Sequence, residues 1–211
     1  RPVEGIDEKR LREVLAQFVG EQEQVPPMHS AIKQNGQPLY KLAHQGIEVE
    51  RKARQITIFK IDLLRFDANE LEIEVHCSKG TYIRTLAEDI GESLGCGAHL
   101  SALRRIKSGP FSMDKLVTLP ELEQLAEKGN EALDALLQPA ESALIDWPEV
   151  NLTEHTAYYL RQGQAVQVPQ APSSGWVKIF AEDQQFLGIG QIQSDGRVAP
   201  KRLINTGSNP A

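Results

Sequence analysis

Six residues of strict alternation, Leu71-Glu72-Ile73-Glu74-Val75-His76, run directly into Cys77-Ser78-Lys79-Gly80-Thr81-Tyr82-Ile83-Arg84-Thr85-Leu86. This junction constrains the fold more than any other part of the chain. Period two puts Leu71, Ile73 and Val75 on one face of a half-buried strand. Lys79-Gly80 then reads as a turn, and the stretch through Ala87-Glu88-Asp89-Ile90-Gly91 reads as a helix that opens near Tyr82. A strand that turns straight into a helix sets a phenol, Tyr82, and a guanidinium, Arg84, at the mouth of the turn, and working side chains are often carried on such connections.

The flanking segments fill in an α+β chain. A second apolar run over 56–64 is separated from the first by Asp67-Ala68-Asn69-Glu70, so the two form an antiparallel hairpin. Asp7 is placed to cap a helix whose Leu11, Val14, Leu15 and Phe18 recur at helical spacing, with Gly20 at the C′ position that ends it. A further strand is expected over 98–106. Thr118-Leu119-Pro120-Glu121 carries the cap, the first-turn proline and the acid of a helix start, with two short helices expected up to Gln138-Pro139. From Trp147-Pro148 the texture changes to short strands broken by glycines, at 166–168, 176–180, 186–192 and 197–203. The expected organisation is a mixed or antiparallel-sheet domain over 1–146 and a small β-rich domain over 147–211.

The 211 residues carry a net charge of -6, which taken alone argues against a nucleic-acid partner. Distribution reverses that inference. In 28–55 the basic side chains Lys33, Lys41, Arg51, Lys52 and Arg54 face only Glu48 and Glu50, and Arg104, Arg105 and Lys107 cluster again; the acid is concentrated over 121–146. A globally acidic chain with local basic patches can bind RNA along one face. The polar, Gly- and Pro-marked segment 26–55, centred on the amphipathic 39–44, is long enough for a connection to be functional or mobile. The apolar runs fall short of the roughly 18 residues that span a bilayer. Cys77 and Cys96 have no framework spacing and suit reduced thiols of a cytoplasmic protein. A zinc site built from His76, Cys77, Cys96 and His99 is the alternative use of those thiols, but adjacent His76 and Cys77 point to opposite faces of a strand.

Lys79-Gly80-Thr81-Tyr82-Ile83-Arg84-Thr85 after an alternating strand resembles the third motif of the tRNA pseudouridine synthases of the bacterial TruB family. The likeness extends to Pro26-Pro27-Met28-His29-Ser30-Ala31-Ile32-Lys33, Gly36, Leu39-Tyr40 and Gly46-Ile47-Glu48-Val49, similar to that family's RNA-gripping insertion. It continues in Gly95-Cys96-Gly97-Ala98-His99-Leu100 with Leu103-Arg104-Arg105. The tail, through Leu160-Arg161-Gln162-Gly163-Gln164-Ala165-Val166, Phe186-Leu187-Gly188-Ile189-Gly190 and Val198-Ala199-Pro200-Lys201-Arg202-Leu203, resembles a PUA domain, a compact pseudo-barrel that binds RNA.

The resemblance implies isomerisation of uridine 55 in the T loop of tRNA to pseudouridine by a cytoplasmic, stand-alone enzyme, a monomer needing no guide RNA, cofactor or metal. It implies that Tyr82 stacks on the flipped uracil and helps remove the carbon 5 proton, that Arg84 holds a catalytic aspartate, and that Leu103 lines the uracil pocket. Lys33, Arg51, Lys52, Arg54 and Lys79 are expected to meet phosphates, Lys201 and Arg202 to meet an RNA end, and His29 to stack. The family's aspartate lies in a Gly-x-Leu-Asp-Pro motif that these residues lack, and Asp7, Asp62, Asp67 and Asp89 lie in no such loop. The expectation is therefore a catalytic domain that is incomplete here, its nucleophile supplied by preceding polypeptide and this piece inactive alone. The competing reading is a non-catalytic RNA-binding or tRNA-folding module.

Overall fold

The computed structural model describes residues 1–67 and 69–204. Ala68, in the expected hairpin turn, and 205–211, at the end of the expected C-terminal domain, lie outside the described residues. The chain divides into two compact units, Arg1–Leu103 and Arg104–Ala211.

In the first unit, helix α1 (Glu8–Gln17) starts where Asp7 accepts the Arg10 N–H at 2.8 Å and buries Leu11, Val14 and Leu15. It is capped by Phe18, two residues before Gly20, so Gly20 does not end the helix as expected. Its φ of +117° instead opens an unforeseen strand, β1 (Gly20–Gln24). β1 does alternate, but with Glu21 and Glu23 outward and Gln22 and Gln24 inward, and hydropathy cannot register an alternation between two polar residue types. It pairs antiparallel with β4 (Arg54–Asp67), which pairs with β5 (Glu70–Cys77), in the order β1-β4-β5. This is the expected hairpin with one strand added.

Helices α1 and α3 (Ile83–Leu94) contribute Leu11, Val14, Leu15, Leu86, Ile90 and Leu94 to a core closed by Ile56 and Ile58 of β4, with Ile73 and Val75 of β5 packed against it. The strand expected over 98–106 does not form. Gly95 and Gly97 have φ of +89° and +74°, and the Gly97 N–H is taken by the Gly91 carbonyl at 2.8 Å, which folds the chain back on α3 instead of extending it along β5. Pairing resumes only in a two-residue ribbon, β6 (Lys107–Ser108) with β7 (Phe111–Ser112).

The segment 26–55 is ordered as a small hairpin and a helix. β2 (Lys33–Gln34) and β3 (Gln37–Pro38) are joined by Asn35 and Gly36, both with positive φ, as a two-residue hairpin turn requires. Helix α2 (Leu39–His44) follows, anchored by buried Leu39, whose N–H bonds the Ile32 carbonyl at 2.8 Å.

The second unit opens with the β6–β7 ribbon and continues with the expected short helices, α4 (Leu119–Ala126) and α5 (Asn130–Asp134); Thr118 and Glu121 form a capping box. Beyond them β8 (Glu149–Leu152), β9 (Gly175–Ala181), β10 (Phe186–Ile192) and β11 (Val198–Leu203) make a sheet in the order β11-β10-β9-β8, with β8 parallel to β9. β8 and α6 (Glu154–Arg161) were not expected; in α6 only Ala157 and Leu160 are buried, and exposed Tyr158 and Tyr159 blur the pattern. The strand expected at 166–168 reduces to a single bridge between Val166 and Val198. Val150, Leu152, Leu160, Val177, Ile179 and Val198 form the core.

Candidate active site

The first sheet sets Gln24, the last residue of β1, opposite Arg54, the first of β4, while β5 ends at Cys77 opposite Ile58, four residues further along β4. The turn into α3 leaves from the same edge, as does the segment 26–55. Ser78 fixes the turn, its N–H bonding the Thr57 carbonyl at 2.8 Å and its hydroxyl accepting the Thr57 N–H at 2.9 Å, while the Thr81 hydroxyl donates to the Ser78 carbonyl at 3.0 Å. Gly80 has φ of +89°, a conformation a side chain at that position would strain.

Tyr82 is the N-cap residue of α3 and supplies no side-chain acceptor to it. Its backbone is held from across the sheet: the Gln24 Oε1 accepts the Tyr82 N–H at 2.8 Å, and the Gln24 Nε2 donates to the Tyr82 carbonyl at 3.2 Å. The ring is half-buried, and its hydroxyl has no hydrogen bond among the described residues. Arg84, two residues on, is exposed and makes no ion pair among the described residues. A partly open aromatic ring and a free guanidinium thus share the first turn of a twelve-residue helix whose N-terminus is itself electropositive. An aromatic face can stack on a planar base, and a guanidinium can pair with a carboxylate.

Lys79 is exposed on the turn leading to Tyr82. Arg54 stands opposite Gln24 in the β1–β4 register, so it belongs to the same edge, with exposed Lys52 just before it. Lys33 is exposed on the β2–β3 hairpin, and exposed His29 meets His44 edge to face with ring centroids 5.8 Å apart. Arg51 differs from its neighbours: it is half-buried, its Nη1 donates to the Pro26 carbonyl at 3.1 Å, and its Nε is buried without a partner. It ties the exit of the segment to its entrance. Leu103 lies in irregular chain, not in a strand, and is 67% exposed, while Lys201 and Arg202 are exposed on β11 of the second unit.

Three of the four aspartates of this unit are engaged elsewhere. Asp7 caps α1, Asp62 pairs with Lys60 at 2.7 Å and Asp67 lies 3.8 Å from Arg65. Partial burial on α3, with Glu88 beside it, holds the Asp89 carboxyl above the ordinary range, but it is not paired with Arg84. Among the described residues no three His, Cys, Asp or Glu side chains are close enough to hold a metal ion, and Cys77 and Cys96 are half-buried free thiols against the core.

Comparison with known proteins converges on one family. Residues 1–83 match the N-terminal domain of TruB family pseudouridylate synthases, 84–145 the tRNA pseudouridylate synthase B C-terminal domain, and 148–204 the C-terminal region of pseudouridine synthase II TruB. The tRNA pseudouridine synthase B of Ectopseudomonas mendocina is 51% identical over 209 residues, 99% of this chain and 68% of that protein. This chain belongs to the TruB family. The tRNA pseudouridine synthase B of Nitrosococcus oceani is 59% identical over 203 residues, 96% of this chain and 66% of that protein. The chain thus spans about two thirds of the length of its TruB relatives. Among solved structures, a Cbf5-Nop10-Gar1 complex matches with a TM-score of 0.73 at 25% identity, covering 95% of this chain and 63% of that one. An H/ACA RNP bound to a substrate RNA containing 2'-deoxyuridine matches with a TM-score of 0.71 at 24% identity, covering 94% and 61%. The α+β architecture with antiparallel sheets is that of a pseudouridine synthase.

Proposed function

We propose that the intact protein is a tRNA pseudouridine synthase acting on uridine 55 of the T loop. The observation that carries this reading is the Tyr82–Arg84 turn, a half-open ring beside a cation unpaired among the described residues, in a chain of this family. Pseudouridine formation breaks an N-glycosidic bond and rejoins the sugar to carbon 5 of the same base. An aspartate on polypeptide outside these residues acts as nucleophile, and Arg84 keeps it ionised and aimed through a charge-assisted pair. Tyr82 stacks on the extruded uracil, offsetting part of the few kcal/mol that unstacking costs, and assists loss of the carbon 5 proton. Leu103 supports the apolar side of the base pocket.

Lys33, Lys52, Arg54 and Lys79 contact phosphates of the T arm, joined by Arg51 through the guanidinium hydrogens not used on Pro26. Residues 147–211 serve as a PUA domain in which Lys201 and Arg202 meet an RNA end, and 26–55 closes on the stem. The enzyme works as a cytoplasmic monomer without guide RNA or cofactor. The test is tritium release from carbon 5 of uracil in a T-arm hairpin: release that is abolished by Tyr82→Ala, with affinity largely kept, supports the reading. Binding without release by the intact protein assigns it instead to a non-catalytic RNA-binding role, and full turnover by Tyr82→Ala removes Tyr82 from the mechanism.

A further inference from the structure

We infer that Gln24 is a positioning residue for Tyr82, a side-chain amide from β1 that sets the backbone of α3's first turn. The inference rests on the proposed role of Tyr82. Its structural basis is independent of that role. Gln24 is 5% exposed, one of the few buried polar side chains of the first unit, and both ends of its amide are used on one residue 58 positions away.

The geometry explains why a glutamine stands there. The first N–H groups of a helix have no partner inside it, and an N-cap residue usually covers one with a short polar side chain. Tyr82 cannot do this, because its oxygen sits at the far end of the ring. Its own N–H would also be left without an acceptor in a partly buried turn, which is costly. The primary amide of Gln24 offers an acceptor and a donor side by side, so it pairs with the N–H and carbonyl of Tyr82 much as a neighbouring strand would. The carbonyl it meets already accepts the Leu86 N–H at 3.0 Å, within the first turn of α3. Both torsions of Tyr82, φ -94° and ψ 103°, are thereby tied to the sheet, and with them the direction of the ring.

The same contact joins Tyr82 to the segment 26–55. Gln24 ends β1 two residues before Pro26, whose carbonyl accepts from Arg51 at the far end of that segment. The base of the segment is thus linked to Tyr82 through one buried amide. Asparagine is a methylene too short for the same span. Methionine fills the same space and offers neither bond.

The test compares Gln24→Met with the unaltered intact enzyme. Turnover of a T-arm hairpin should fall roughly 10- to 100-fold in kcat with KM changed by no more than about twofold, the mark of misplacement in the reacting complex rather than lost binding. The Tyr82 amide should also exchange with deuterium at least about tenfold faster in the variant, while Ile58 in the core of β4 is unchanged. Unchanged kcat in folded Gln24→Met, or a loss that only tracks its unfolded fraction, overturns the inference. If the variant does not fold, exchange in the unaltered protein decides: protection of the Tyr82 amide comparable to Ile58 supports the clamp, and exchange at the rate of an open turn overturns it. Absent turnover in the unaltered intact enzyme, by contrast, refutes the synthase reading and leaves the exchange result standing as a measure of the clamp.

Discussion

At the scale of single residues, the site depends on groups the fold leaves unsatisfied. Arg84 has no ion-pair partner among the described residues, so it contributes little to folding and is free to pair with a carboxylate brought to it. Arg84→Lys should keep the positive charge but lose the planar fork. The expected outcome is a kcat reduced about tenfold or more with stability within about 0.5 kcal/mol of the parent, read by tritium release and thermal melting. Equal activity in the lysine variant would show that a point charge suffices there. The sequence showed Tyr82 and Arg84 clearly because their motif is contiguous. It gave no sign of Gln24, whose partner lies across the sheet.

At the scale of elements, close packing and capping decide which helices hold. Gly91 lies in the middle of α3, where glycine is unfavourable, yet a Cβ there would overlap the backbone of Gly97 and Ala98. Gly91→Ala should therefore destabilise the first unit by about 2 kcal/mol despite alanine's better helix propensity, measured by chemical denaturation. An unchanged midpoint would mean that the 97–98 loop yields easily.

The start of α4 offers a pH-dependent case. The Glu121 carboxylate accepts the Thr118 N–H at 2.8 Å and its hydroxyl at 2.7 Å, and these bonds hold its pKa below the ordinary glutamate value. A carboxyl depressed in the folded state adds stability above its unfolded pKa, about 4.3, and loses it as pH falls through the lower folded value. Protection of the α4 N-terminal amides, with exchange corrected for its intrinsic pH dependence, should hold constant from pH 6 to about 5 and fall below about 4. Glu121→Gln should flatten that dependence, and a steep profile retained in this variant would place the acid sensitivity elsewhere.

At the scale of the whole molecule, a net charge of -6 coexists with a basic edge on the first unit. Binding to a T-arm hairpin should weaken with salt, because each neutralised phosphate releases counterions. Replacing Lys52 and Arg54 together by glutamine should lower the slope of log K against log salt by about 1.5 without changing the melting temperature. An unaltered slope would show that neither cation meets a phosphate.

The sequence by itself determined the hairpin of β4 and β5, the strand-to-helix turn, the capped starts of α1 and α4, and the family, because each is written in neighbouring residues through hydropathy period, turn chemistry or contiguous motif. Only the tertiary structure decided that an all-polar stretch forms β1, that the chain turns back on Gly91 at Gly97 and leaves 98–106 unpaired, that Arg51 is turned inward on Pro26, and that Gln24 grips Tyr82. Those outcomes follow from partners distant along the chain. A polar side chain becomes strand, strut or clamp according to which backbone groups the fold leaves within its reach.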